Sequence, residues 1–265
     1  MKITLKDGSI LEYSEPKTAA DITKDISMGL FRNACACKIN GAVADLRTLI
    51  SEDASLEILT FDDEDGKKAY NHTVSHIMAQ AVKRLYPSAK LTIGPAIENG
   101  FYYDFDVENT FSPEDLEKIT QEMKKIIKEN LERFELPVNE AIALMEEKGE
   151  PYKIELINEH ADKGESISFY KQGEFTELCA GPHIFKTGAV KANAFALVSN
   201  NAAYWRGDSK GKALQRIYGI AFPKKEMLDD YLQKLEEAKM RDHRKIGKEM
   251  GLFMTDELVG RGMPM

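Results

Sequence analysis

Four side chains in this sequence have the types and spacing that chemistry needs. His72 and His76 lie four residues apart in a segment patterned as a helix, so both project from one face. Cys179 and His183 repeat the spacing in Cys179-Ala180-Gly181-Pro182-His183, where the Gly-Pro step excludes an ordinary helix and puts the pair on a turn. Two such pairs could supply four ligands to one zinc ion. They could equally supply the acid–base groups of a hydrolytic pocket. The helix pair lacks the intervening glutamate of H-E-x-x-H, which argues against protease-type zinc chemistry. Of the other histidines, His160 and His243 sit among charges and read as surface residues. Cys35 and Cys37 are expected to face opposite ways on a strand, to share no metal and to serve packing.

A second feature is a run of cations. Between Pro182 and Arg216 lie Lys186, Lys191, Arg206, Lys210, Lys212 and Arg216 against the single acid Asp208, a local balance of +5 in a chain that totals −8. Phe185, Phe195, Tyr204 and Trp205 are interleaved with them. Cations can neutralise phosphates while aromatic faces stack on unpaired bases, so an RNA-facing strip is one expectation; a solvated sheet edge with its aromatics in the core is the other.

The elements that must position these groups can be read along the chain. Asp7-Gly8 and Asn40-Gly41 mark two tight hairpins, 1–13 and 34–46, around a helix over Thr18–Met28. With a strand at Leu56–Leu59 the order is β-β-α-β-β-β, a small α+β module like a ubiquitin-like roll. The acidic run Asp62–Gly66 reads as a linker, and a helix from Lys68 to Leu85 stops before Pro87. Strands are expected at Leu91–Ile93 and Phe101–Phe105. Ser112-Pro113-Glu114-Asp115 is a capped helix start, with the helix running toward Leu131. A shorter helix is expected over Pro137–Lys148, mainly strands and turns over Ile167–Ala221, and a long charged connector helix over Lys224–Met250.

Composition narrows the class. The chain has 265 residues, 43% hydrophobic and 30% charged, with a mean hydropathy of −0.40 and a pI near 5.3. That suits a soluble globular protein of about two domains and excludes a wholly basic nucleic-acid binder. No apolar run reaches the ~18 residues that span a bilayer, the start is not a signal peptide, and an odd cysteine count argues against a disulfide scaffold. A cytoplasmic protein with no membrane contact is expected. The last residues, 251–265, carry no stop signal and are expected to lead into a longer chain.

The ordered motifs His72–His76, Ile93–Pro95, Gly100–Asp104, Cys179–His183, Tyr204–Asp208, Leu214–Gly219 and Arg241–Arg244 resemble those of the threonyl-tRNA synthetases across essentially the whole chain. Alanyl-tRNA synthetases share the paired His and Cys/His signature and are the near alternative. The resemblance implies an α+β protein in four parts. These are a TGS module (1–62), an α+β editing domain (63–224), a linker helix (225–250) and the start of a class II catalytic domain (251–265). It implies hydrolysis of mischarged seryl-tRNA(Thr) by water, in a protein whose full length would join threonine to tRNA(Thr) with ATP. The rival expectation is a non-catalytic module that grips the acceptor stem.

The same resemblance assigns residues. His72, Lys153, Glu177, Cys179 and His183 form the catalytic group, with Lys153 and His183 on the water and His72 on the terminal ribose. His76, Tyr103, Lys186, Arg206 and Lys210 contact substrate or RNA. Cys179 is expected to be a wall or weak donor, not a nucleophile. Glu177 stands where the family often has Asp, and Ala180 where it often has a polar residue. No metal is expected to be required for editing; zinc at His72, His76, Cys179 and His183, as in alanyl relatives, is the alternative. ATP, magnesium and a further zinc belong to the catalytic domain. The partner is the aminoacylated 3′ end of tRNA(Thr). The full-length protein is expected to be a homodimer and this piece a monomer.

Overall fold

A computed structural model describes residues 1–127 and 130–241 of the chain. The expected connector beyond 241, the motif around His243 and the segment 251–265 lie outside the described residues.

The first module begins with the hairpin β1 (Lys2–Leu5) and β2 (Ile10–Glu12). β3 (Lys17–Thr18) leads into α1 (Ala19–Ile26), whose cap is the Thr18 hydroxyl accepting from the Asp21 N–H. Sequence periodicity suggested one helix to Met28. The chain instead breaks at Ser27, whose hydroxyl accepts from Gly29 and Leu30 and starts a separate α2 (Met28–Asn33). β4 (Ala34–Ile39) and β5 (Ala42–Ala44) form the second hairpin, β6 (Leu49–Ile50) pairs with β3, and β7 (Ala54–Thr60) closes the sheet. Strand order is β2-β1-β7-β4-β5, with β1 and β7 parallel and the other pairs antiparallel. This matches the expected roll.

Cys35 and Cys37 do enter different cores, but not through simple alternation, which would put residues two apart on one face. Ala34 pairs with Thr60 and Ala36 with Leu59, so Cys35 is the extra residue of a bulge. Cys35 joins the main core and Cys37 the core of the first module.

α3 (Glu64–Leu85) follows directly. Of the acidic run read as a linker, Asp63 flanks the helix and Glu64 and Asp65 lie in its first turn, where they meet the positive end of the helix dipole. β8 (Lys90–Leu91), β9 (Ala96–Ile97) and β10 (Gly100–Asp106) come next. α4 (Pro113–Ile126) starts at the Ser112 cap that the sequence announces, and Asp115 completes a capping box with it. It stops short of Leu131, because Leu131–Glu135 is a strand, β11. α5 (Val138–Glu147) is as expected; α6 (Pro151–Asp162) was not anticipated. β12 (Ser168–Gln172), β13 (Phe175–Leu178), β14 (Phe195–Tyr204), β15 (Ala213–Ala221) and α7 (Lys225–Met240) complete the described chain.

The main antiparallel sheet runs β14-β15-β10-β8, with β9 on β10, and packs against α3. The sheet β11-β12-β13 turns one face to α5 and α6, through Phe134, Phe169 and Leu178. Its other face carries Tyr170 and Glu177, directly opposite each other on β12 and β13. Among the described residues no helix is long and apolar enough to cross a membrane.

Candidate active site

The two distant pairs meet. α3 presents His72 and His76 one turn apart, and the turn after β13 brings Cys179 and His183 against them. The Cys179 Sγ lies 3.4 Å from His72 Nε2 and 3.3 Å from His183 Nε2, and accepts from the Gly181 N–H at 3.2 Å. The His183 ring centre is 4.3 Å from those of both His72 and His76.

Tautomer and charge follow from the neighbours. The Thr73 hydroxyl gives its one proton to the Ala69 carbonyl at 2.8 Å and accepts from the Ile184 N–H. The His183 Nδ1, 3.1 Å away, must therefore be the donor, which leaves Nε2 as a lone pair toward Cys179. Burial pushes His72 down to about 3, and lowers His76 and His183 as well, so all three rings are neutral at neutral pH. Burial pushes the Cys179 thiol up to about 12.

Beside this group stands a buried ion pair. Lys153 Nζ on α6 is 2.7 Å from Glu177 Oε1, with both side chains at most 4% exposed. The Tyr103 hydroxyl on β10 donates to the same oxygen. Burial alone would raise the Glu177 carboxyl; His76, Lys153 and Tyr103 together outweigh it and hold it below its ordinary range. The other oxygen, Oε2, is 3.3 Å from His76 Nδ1 but receives no aligned hydrogen bond from the protein.

These groups open on a cavity of about 600 Å³, lined by His72, His76, Lys153, Glu177 and Cys179, and also by Val43 of the first module. Its volume lies in the ordinary range of small-molecule sites. Tyr103 and His183 are fully buried behind the wall, not in it. His160, read as a surface residue, borders the cavity and contacts Glu165.

The donor set fits a metal. The ligand atoms of His72, His76, Cys179 and His183 lie within 4.8 Å of one another. The two sulfur–nitrogen distances approach the ~3.5 Å edge of a tetrahedral zinc site, and Thr73 holds the far nitrogen of His183 as such sites require.

Comparisons with known proteins agree with this geometry. Residues 1–60 match the TGS domain, and residues 167–218 match the "Threonyl and Alanyl tRNA synthetase second additional domain". All of this chain aligns with 41% of the threonine–tRNA ligase of Acetivibrio thermocellus at 62% identity. The ligases of Clostridium tetani and Clostridium perfringens align over the same shares at 60% and 57%. The chain is thus similar along its whole length to the N-terminal portions of threonine–tRNA ligases. It spans about two fifths of the length of these curated relatives.

In this chain the cationic strip is distributed differently from an open RNA track. Arg206 pairs with Glu155 and Glu159 of α6, Arg216 with Asp104 at 2.7 Å and Lys212 with Asp106 at 3.3 Å. Trp205 packs on Tyr152 and donates to Glu155. Lys186 and Lys210 remain exposed, and neither lines the cavity. Three supporting residues were missed in the sequence. Thr73 lay in plain view inside the His motif. Tyr170 and Asp45 gave no local signal, because their roles exist only through contacts between distant segments.

Proposed function

We propose that this chain is the hydrolytic editing part of a threonine–tRNA ligase, cleaving the ester of seryl-tRNA(Thr). Serine is threonine without one methyl, and a synthetic pocket that holds threonine cannot shut out a smaller side chain. The difference is worth only ~1–3 kcal/mol, so errors must be removed at a second site.

One observation carries the reading: a neutral His/Cys cluster and a buried Lys153–Glu177 pair face one cavity. The reaction needs water delivered to the ester carbonyl, a proton for the departing ribose oxygen and donors for the oxyanion. A thiol pushed up to about 12 is not a thiolate at pH 7, which supports Cys179 as wall and weak donor. Lys153, set by Glu177, is the group that orients water and meets the oxyanion. His72, at the cavity edge, takes the terminal ribose. His183 acts on the water through Cys179, which stands between it and the cavity. Tyr103 fixes Glu177, and His76 lines the amino-acid end. Lys186, Arg206 and Lys210 remain candidates for contacts to RNA.

Hydrolysis in this reading needs no metal. Zinc is the second reading, favoured by the clustered ligand atoms; bound there, it would supply a Lewis acid. Metal analysis of protein purified without chelator separates the two. Threonine activation with ATP and magnesium, a further zinc and dimer formation belong to the rest of the ligase. The folded chain, a cytoplasmic monomer on its own, has among its described residues a first module (1–62), an editing domain (63–224) and a helix from about residue 225. It should release serine from seryl-tRNA(Thr) and leave threonyl-tRNA(Thr) largely intact; folded protein that deacylates neither overturns the reading. His72→Ala with Lys153→Ala should abolish release while sparing most tRNA affinity.

A further inference from the structure

The turn that carries Cys179 and His183 is held from outside its own part of the chain. Asp45 lies in the first module just after β5 and is 6% exposed. Its Oδ2 accepts from the Tyr170 hydroxyl at 2.7 Å and from the His183 backbone N–H at 3.3 Å. Tyr170 in turn sets its ring edge against the His183 imidazole, with centres 4.3 Å apart. Arg47 bridges both oxygens of Asp45 and directs Nη2 to the carbonyls of Phe185 at 2.6 Å, Leu131 at 3.0 Å and Ile184 at 3.3 Å. Phe185 packs into the first module's core against Phe31. The turn is shaped for this grip. Gly181 has φ +77°, and a Cβ there would lie 2.3 Å from the Tyr170 hydroxyl, so only glycine lets that hydroxyl pass to Asp45.

We propose that the Asp45–Arg47 loop is a positioning element of the hydrolytic site: the first module sets the placement of Tyr170, His183 and hence Cys179. The module is then a working wall of the cavity, to which it also gives Val43. This rests on the editing reading for its kinetic arm only.

The test uses the full chain with Asp45→Ala, Asp45→Asn and Tyr170→Phe. Asp45→Ala should lower kcat for seryl-tRNA(Thr) hydrolysis on the order of 10- to 100-fold, the scale of a small misplacement, with KM within about threefold. Asp45→Asn, which keeps one acceptor oxygen, should recover part of the loss. By NMR, the His183 amide should exchange faster in Asp45→Ala while amides inside α3 keep their protection. A folded Asp45→Ala with unchanged kcat, or with unchanged His183 exchange, overturns the proposal. If Asp45→Ala does not fold, Tyr170→Phe decides on the same two readouts, and no change in either overturns it. If the wild-type chain hydrolyses no aminoacyl ester, the editing reading fails, while amide exchange still decides whether Asp45 holds the turn.

Discussion

At the level of single residues, the Lys153–Glu177 pair ties stability to chemistry. Both side chains are buried, and each carries a charge the interior tolerates only through the other. Lys153→Ala should therefore do two separable things. It should abolish ester hydrolysis, and it should destabilise the fold by about 3 kcal/mol, because Glu177 is left without its cation. Adding Glu177→Gln removes the stranded charge and should restore much of the stability but none of the activity, as urea unfolding and deacylation would show. The histidines make a second statement. The unfolded chain takes up protons on these imidazoles near 6.5, whereas burial holds the folded His72 down to about 3 and lowers His76 and His183. The unfolded state thus binds more protons between those values, and stability must fall as pH drops below about 6.5. His72 alone should account for on the order of 2 kcal/mol by pH 5. Urea titrations of metal-free protein at pH 7.5 and 5 check this; His72→Asn should flatten the dependence.

At the level of elements, the site depends on backbone passing close to aromatic rings. A Cβ added at Gly94 would lie 2.0 Å from Cδ2 of Tyr103, and the Gly94 carbonyl is fixed by the Ser75 hydroxyl of α3 at 2.7 Å. Gly94→Ala should push Tyr103 off Glu177, costing about 1–3 kcal/mol as an overpacked core and reducing hydrolysis; unchanged melting and turnover would refute that placement. Elements with local signals were legible in the sequence: the Asp7-Gly8 and Asn40-Gly41 hairpins, the Ser112 helix cap, and the two His/Cys pairs. α6 was not, and its faces explain why. Ile154 and Ile157 enter a core, Lys153 and Leu156 line the cavity, and Glu155 and Glu159 hold Arg206, so no single apolar stripe repeats. Lys153 was placed by family resemblance alone; as a residue it looked like any surface lysine. β11 has no local strand signal, because its reason to be a strand, pairing with β12, lies far along the chain.

Across the whole molecule, the two modules share their interiors. Cys35, Ala36 and Leu59 of the first sheet belong to the same core as Ala69 and Val74 of α3, while Phe185 from beyond the Cys179–His183 turn packs into the first module. Arg47 adds hydrogen bonds to three carbonyls of the second part. Two units joined by a linker would melt independently, each with its own transition. Units that complete each other's cores cannot, because loss of one exposes apolar surface and strands polar groups in the other. The described portion should therefore unfold in one calorimetric transition. Phe185→Ala should lower that single transition by about 2 kcal/mol, less than a fully buried phenylalanine would cost because Phe185 is only partly buried. Arg47→Ala should act in the same direction. If calorimetry instead resolves two transitions, and Phe185→Ala moves only one, the modules are independent. The first module could then melt while the histidine cluster on α3 keeps its fold, and Val43 would be the part of the cavity lost with it.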